Sequence, residues 1–185
     1  MALGKVLLRI TLGGLFVGHG TQKLFGWFGG AGPEGTGRTF DAVDLRPGRV
    51  HARVAGVAEA GGGMLLAAGL ATPLASASLS GVMLTAIRSV HWRNGIWSTQ
   101  GGYELPLVML VALFALTEAG PGAMSLDGAR RHERKGIGWA VAALASGAIA
   151  SHLAILVGRR SGRHVERVPE SPQGETRDRT FRQAA

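Results

Sequence analysis

The chain has 185 residues, enough for one domain, and 46% of them are hydrophobic whereas only 17% are charged, below the roughly 25% of ordinary soluble domains. This profile, together with a positive mean hydropathy, favours an integral membrane protein. The absence of cysteine excludes disulfides, thiolate metal sites and a dithiol redox relay. The net charge of +8 does not indicate binding to nucleic acid, because the basic residues fall in loops and the tail, where anionic lipid headgroups are the expected counter-surface.

The first apolar stretch, roughly Leu3–Trp27, predicts a membrane-spanning helix because it exceeds the about 20 residues that a crossing needs. It ends in an aromatic cluster and glycines, as helices at a membrane interface often do. Its charged residues and the lack of a cleavage pattern argue against a signal peptide. The following stretch, Gly29–Arg49, is predicted to be a loop with a short amphipathic piece.

The second span, roughly Val50–Leu70, carries small residues at helical spacing, which predicts close packing against another helix. These residues are Gly56, Ala60, Gly63 and Ala67. The turn that follows is very short, so the third span, roughly Leu74–Trp92, is expected to run antiparallel to the second.

The fourth span is predicted at roughly Glu104–Glu118, and a fifth apolar run at Ile137–Val157. We therefore expect an all-α integral membrane protein: an antiparallel four-helix transmembrane bundle, a fifth transmembrane helix, and a disordered tail rich in Arg. The predicted divisions are residues 1–128 for the bundle, 129–158 for a polar link with the fifth helix, and 159–185 for the tail.

A lone carboxylate, Glu59, lies near the middle of the apolar second span. Ionisable residues inside membrane helices are costly and usually face a bundle interior or a wet cavity, so Glu59 is a functional-site candidate. With alternating spans, the ends that carry the other polar candidates should meet at one leaflet. These candidates are His19, Gln22 and Lys23 on the first span, Arg88 and His91 on the third, and Glu104 at the start of the fourth.

Each polar residue also has a structural interpretation. Lys23 and Arg88 could reach the headgroups from helix ends, and Glu104 could serve the helix dipole. Glu59 could be half of a structural ion pair with Lys23 or Arg88. At the opposite end, Arg9 and Glu118 lie at comparable depth with opposite charge, which predicts an ion pair.

Several motifs together resemble the DoxX family. They are the run His19–Gly26 with sequence HGTQKLFG, Ala58–Gly62 with AEAGG, Gly69–Leu74 with GLATPL, Gly101–Leu107 with GGYELPL, and Ser125–Asp127 after Gly120–Gly122. The resemblance covers roughly residues 5 to 128. It implies a four-helix membrane protein similar to the DoxD/DoxX subunits of thiosulfate:quinone oxidoreductase, or to members tied to oxidoreductase complexes of oxidative and thiol stress. The fifth apolar run and the basic tail depart from the family pattern.

Three functions follow as alternatives. The first is a membrane subunit of an oxidoreductase system, with no redox centre of its own and a quinone or small sulfur compound as ligand. Lys23 and Arg88 would then supply positive charge with Glu104 and Gln22 nearby, Glu59 and His91 would relay protons, and His19 would be a third catalytic candidate. The second is a non-enzymatic anchor or assembly partner for a soluble enzyme, and the third is a small transporter.

The expected location is the bacterial plasma membrane, crossed several times. The Lys and Arg balance of the loops predicts a cytoplasmic C-terminal tail. The expected partners are the bilayer, a soluble or membrane oxidoreductase and further copies of the chain; neither a metal nor nucleic acid is expected.

Overall fold

The computed structural model describes residues 2–165, and the side chains of residues 3–162. Within this part of the chain every element of regular secondary structure is a helix. Seven are α-helical: α1 (Ala2–Phe25), α2 (Gly32–Ala42), α3 (Gly48–Ala68), α4 (Thr72–Ala86), α5 (Glu104–Ala119), α6 (Leu126–Ala129) and α7 (Ile137–Val165). A π-helical turn, Ile87–His91, continues α4, and short 3-10 turns lie at Trp27–Gly29, Trp92–Asn94 and Ser98–Gln100.

The antiparallel pair α1 and α3 packs at backbone distance through glycines. A Cβ placed on Gly13 would lie 2.6 Å from the Gly63 carbonyl oxygen and 2.8 Å from the Ala67 nitrogen. Further along the pair, a Cβ on Gly20 would collide with the backbone nitrogen of Ala60. The close packing predicted from the small-residue stripe of the second span is therefore present, with α1 as the partner.

Gly20→Ala is expected to lower stability by about 1–3 kcal/mol, because the added methyl must push the α3 backbone away. Gly18→Ala is the matched control, since a Cβ there meets nothing within 4 Å and alanine favours a helix. Thermal unfolding in detergent measures both. Equal melting temperatures for the two variants would show that the α1–α3 contact is looser than described.

The hydrophobic core lies between α1, α3, α4 and α5, where Phe16, Leu66, Leu79 and Leu113 are fully buried. The α7 helix packs beside α4 and α5 and runs parallel to α4. Their contact again depends on a glycine, because a Cβ on Gly147 would lie 2.8 Å from the Ala77 carbonyl oxygen. The helix α2 packs on α1 and α3 at the end of the molecule where α1 finishes.

Two sequence predictions are wrong. The segment predicted as the Gly29–Arg49 loop contains the 11-residue helix α2, which has Pro33 in its first turn, a favourable position because proline has no N–H to satisfy there. The helix predicted to end at Val157 continues to Val165, so residues 159–165 are helical and not part of a disordered tail. Gly158 packs against the backbone of Leu45, which supports α7 beyond its apolar run. The rest of the predicted tail, 166–185, lies outside the described residues.

One described helix, α7 over Ile137–Gly162, is long and apolar enough to cross a membrane by length and composition alone. The helices α4 and α5 have 15 and 16 residues, fewer than the about 20 of a full crossing. The longer helix α3 contains Arg49, Arg53 and Glu59, which lower its hydropathy.

Candidate functional site

A cavity of about 610 Å³ lies between α1, α3, α4, α5 and α7, at the end of the molecule covered by α2. Its walls are mainly aliphatic side chains such as Val54, Val82, Met83 and Met109. The ionisable side chains that line it are His19, Lys23, His51, Glu59 and His91. The cavity therefore combines a largely apolar body with one polar region.

The polar region centres on an ion pair between α1 and α3. The Lys23 Nζ donates to Glu59 Oε2 at 2.6 Å, and the Glu59 side chain is 2% exposed against 21% for Lys23. An ammonium has three N–H donors, and the structure gives Lys23 one protein acceptor among the described residues, so two donors are free to hold an oxygen of a ligand. The pair is electrically neutral as a whole, which suits a neutral polar ligand.

His19 lies one helical turn before Lys23 and also lines the cavity. Its Nδ1 is 3.1 Å from Gln22 Oε1, and the Gln22 amide in turn donates to the Phe28 carbonyl at 3.4 Å. Gln22 thus orients His19 and ties α1 to the turn that follows it, but Gln22 itself does not line the cavity.

The π-helical turn at the end of α4 positions His91. Such turns widen the helix locally and occur often at functional sites. The His91 Nδ1 is 2.7 Å from the Gly101 carbonyl oxygen, so the ring joins α4 to the loop before α5. Glu104 stabilises the same loop by accepting the Ser98 N–H at 2.9 Å, and its side chain does not line the cavity.

The structure brings together four of the predicted site residues at the cavity: Glu59, Lys23, His19 and His91. Arg88 is not with them. It is exposed and lies outside the cavity lining, and its side chain has no ion pair or hydrogen bond within the described part of the chain. Of the two basic partners considered for Glu59, the structure selects Lys23.

The predicted ion pair between Arg9 and Glu118 is not formed. Arg9 is 3% exposed and uses its guanidinium on backbone carbonyls, those of Ala67 at 2.9 Å, Pro121 at 2.8 Å and Met124 at 2.8 Å. Glu118 is exposed. The reason is geometric: the C-terminal end of α3 and the chain after α5 present unpaired carbonyls to Arg9, which satisfies them from a buried position.

Sequence reasoning missed several lining residues. His51 lines the cavity, as do Thr39 and Phe40 of α2. On α7 the lining residues are Ala150, Ser151 and Ala154. A signal for α7 was present, because Ala143, Gly147 and Ser151 recur every four residues on its buried face.

Residues 4–92 match the family model described as DoxX. This match includes α1, α2, α3, α4 and the π-helical turn, and therefore both halves of the ion pair and His91. Neither the curated proteins nor the solved structures gave a match.

Proposed function

We propose, from the match of residues 4–92 to the DoxX family model, that the chain is a DoxX membrane protein and a membrane subunit of an oxidoreductase system that binds a quinone in the cavity. The observation that carries the proposal is a largely apolar cavity with a buried ion pair, Lys23–Glu59, at its polar end. Such a combination of an apolar pocket with a few placed polar groups is typical of small-molecule sites.

The proposal places α1, α3, α4, α5 and α7 across the bacterial plasma membrane. The exposed apolar side chains on these helices would then face lipid, for example Leu7 and Ile10 on α1, Val57 on α3 and Val111 on α5. Four large aromatic side chains at the cavity end, Trp27, Phe28, Trp92 and Trp97, are exposed and suit the headgroup level. Five crossings put the two ends of the bundle on opposite sides, and the Lys and Arg balance of the loops supports a cytoplasmic position for the end of α7.

The cavity favours a quinone over a small sulfur anion such as thiosulfate. An anion needs an uncompensated positive charge, but the Lys23 ammonium is already neutralised by Glu59 and Arg88 lies outside the lining. A quinone ring is neutral, its oxygen can accept a Lys23 N–H, and its hydrocarbon part matches the aliphatic walls.

The residues at the polar end have distinct roles in this proposal. Lys23 donates an N–H to a ligand oxygen, and a partner in the oxidoreductase system supplies the electrons that reduce the ligand. Glu59 fixes the ammonium and, with His19, exchanges protons inside the cavity. His91, half-buried beside the exposed loop before α5, passes protons between the cavity and the aqueous side, since an imidazole ring has both a donor and an acceptor nitrogen.

Glu59→Gln is expected to weaken binding of a short-chain benzoquinone at least about tenfold, because the ammonium loses the carboxylate that fixes it. Glu118→Gln is the control, since Glu118 is exposed at the other end of α5. Titration of the detergent-purified protein with the benzoquinone, and separately with thiosulfate, measures both. Tight thiosulfate binding without quinone binding would contradict the quinone assignment, and a wild-type protein that binds neither would contradict the site.

A further inference from the structure

The cavity extends beyond the part of the chain that matches the family. The helix α7 begins at Ile137, well after residue 92, yet Ala150, Ser151 and Ala154 on this helix line the cavity. Opposite them on α4 lie Gly81, Val82 and Thr85. A helix from outside the matched region therefore forms one wall of the site.

The α7 wall is fixed at three levels. Gly147 lies against the α4 backbone, where a Cβ would come within 2.8 Å of Ser80 Cβ. One turn later, Ser151 Oγ is 3.0 Å from Thr85 Oγ1, and Ser151 is 1% exposed. Two turns further along α7, Gly158 packs against Leu45, which itself lines the cavity. The wall is thus a fixed part of the site.

This wall offers a ligand little besides hydrocarbon contact. Thr85 Oγ1 also lies 2.8 Å from the Gly81 carbonyl oxygen, so the two hydroxyls of Thr85 and Ser151 satisfy each other and the backbone. The remaining α7 groups at the cavity are the methyl groups of Ala150 and Ala154. All three α7 side chains are small, and the space in front of α7 exists because they are small.

We infer that α7 is a specificity-determining wall, with Ala150 and Ala154 giving room for the hydrocarbon chain of the ligand while its polar head lies at Lys23 and Glu59. The inference rests on the proposed function and adds the residues that select ligand size. It requires that a larger side chain on α7 discriminate between ligands by chain length without changing the polar end.

The test compares Ala154→Leu and Ala150→Leu with the wild type in titrations with two benzoquinone probes, one without a side chain and one with a ten-carbon alkyl chain. Ala148→Leu is the matched control, because Ala148 is exposed on the same helix and does not line the cavity. We expect the two lining variants to bind the long-chain probe at least about tenfold more weakly and to bind the probe without a chain as the wild type does. Because Ala150 is exposed, a leucine there does not have to displace backbone. Ala150→Leu therefore tests the inference even if Ala154→Leu does not fold.

The inference is overturned if the long-chain probe binds equally well to Ala150→Leu, Ala148→Leu and the wild type. If Glu59→Gln still loses both probes in that case, the proposed site remains intact. Equal weakening of both probes by Ala150→Leu and Ala154→Leu also overturns it, because α7 would then act on the polar head. A wild-type protein that binds neither probe overturns the proposed function and this inference together.

Discussion

Lys23→Met is expected to destabilise the protein by about 3 kcal/mol or more, because it leaves the Glu59 carboxylate without a partner in apolar surroundings. Glu59→Gln should cost less. The Lys23 side chain is 21% exposed and can turn toward the polar surface, whereas Glu59 is 2% exposed and cannot. Unfolding in mixed micelles by increasing SDS gives the free energies, and a larger loss for Glu59→Gln than for Lys23→Met would contradict the burial described here.

The double variant Lys23→Met/Glu59→Met separates stability from binding. Replacing a buried ion pair by apolar residues of similar volume is often neutral, so the double variant should recover most of the stability that Lys23→Met loses. It should still fail to bind a benzoquinone, since the Lys23 ammonium that holds the ligand oxygen in the proposed site is gone. A stable double variant that binds the benzoquinone as the wild type does would show that the ion pair has only a structural role.

Arg9→Met is expected to cost at least about 3 kcal/mol, because three buried or partly buried carbonyls lose their donor at once and hydrogen bonds to charged groups are worth about 1.5–3 kcal/mol each. Arg9→Lys should recover only part of this, since a lysine lacks the planar fork that reaches Ala67, Pro121 and Met124 together. Unfolding by SDS measures both variants.

Glu118→Gln distinguishes the hydrogen bonds of Arg9 to backbone carbonyls from the Arg9–Glu118 ion pair that the sequence suggests. The exposed Glu118 should tolerate the change within about 0.5 kcal/mol. If Glu118→Gln lowers the free energy of unfolding as much as Arg9→Met does, the ion pair is supported and the described contacts of Arg9 are contradicted.

The helices themselves follow closely from the sequence, because apolar runs and their glycine and proline boundaries are local signals. Close packing of another helix on α3 also follows, since Gly56, Ala60, Gly63 and Ala67 leave one side of α3 without bulk, and the structure identifies that helix as α1. The same reasoning missed α2, whose short length and three glycines resemble a loop in a sequence where the other helices are strongly apolar.

The site was predictable in part. Helix alternation places Lys23, Glu59 and His91 at one end of the molecule, and the structure brings all three to the cavity. Alternation does not determine which way a side chain points at the end of a helix, and the π-helical turn at Ile87–His91 changes the rotation there, so Arg88 faces outward. Arg9 was misassigned because free backbone carbonyls, its true partners, cannot be read from residue types.

The most direct measurement is native mass spectrometry of the detergent-purified protein, with extraction and identification of bound lipids and quinones, for the wild type and Glu59→Gln. We expect the wild type to carry a quinone and Glu59→Gln to have lost it while remaining folded. A folded wild type without any quinone, indistinguishable from Glu59→Gln, would contradict the assignment of the cavity as a quinone site.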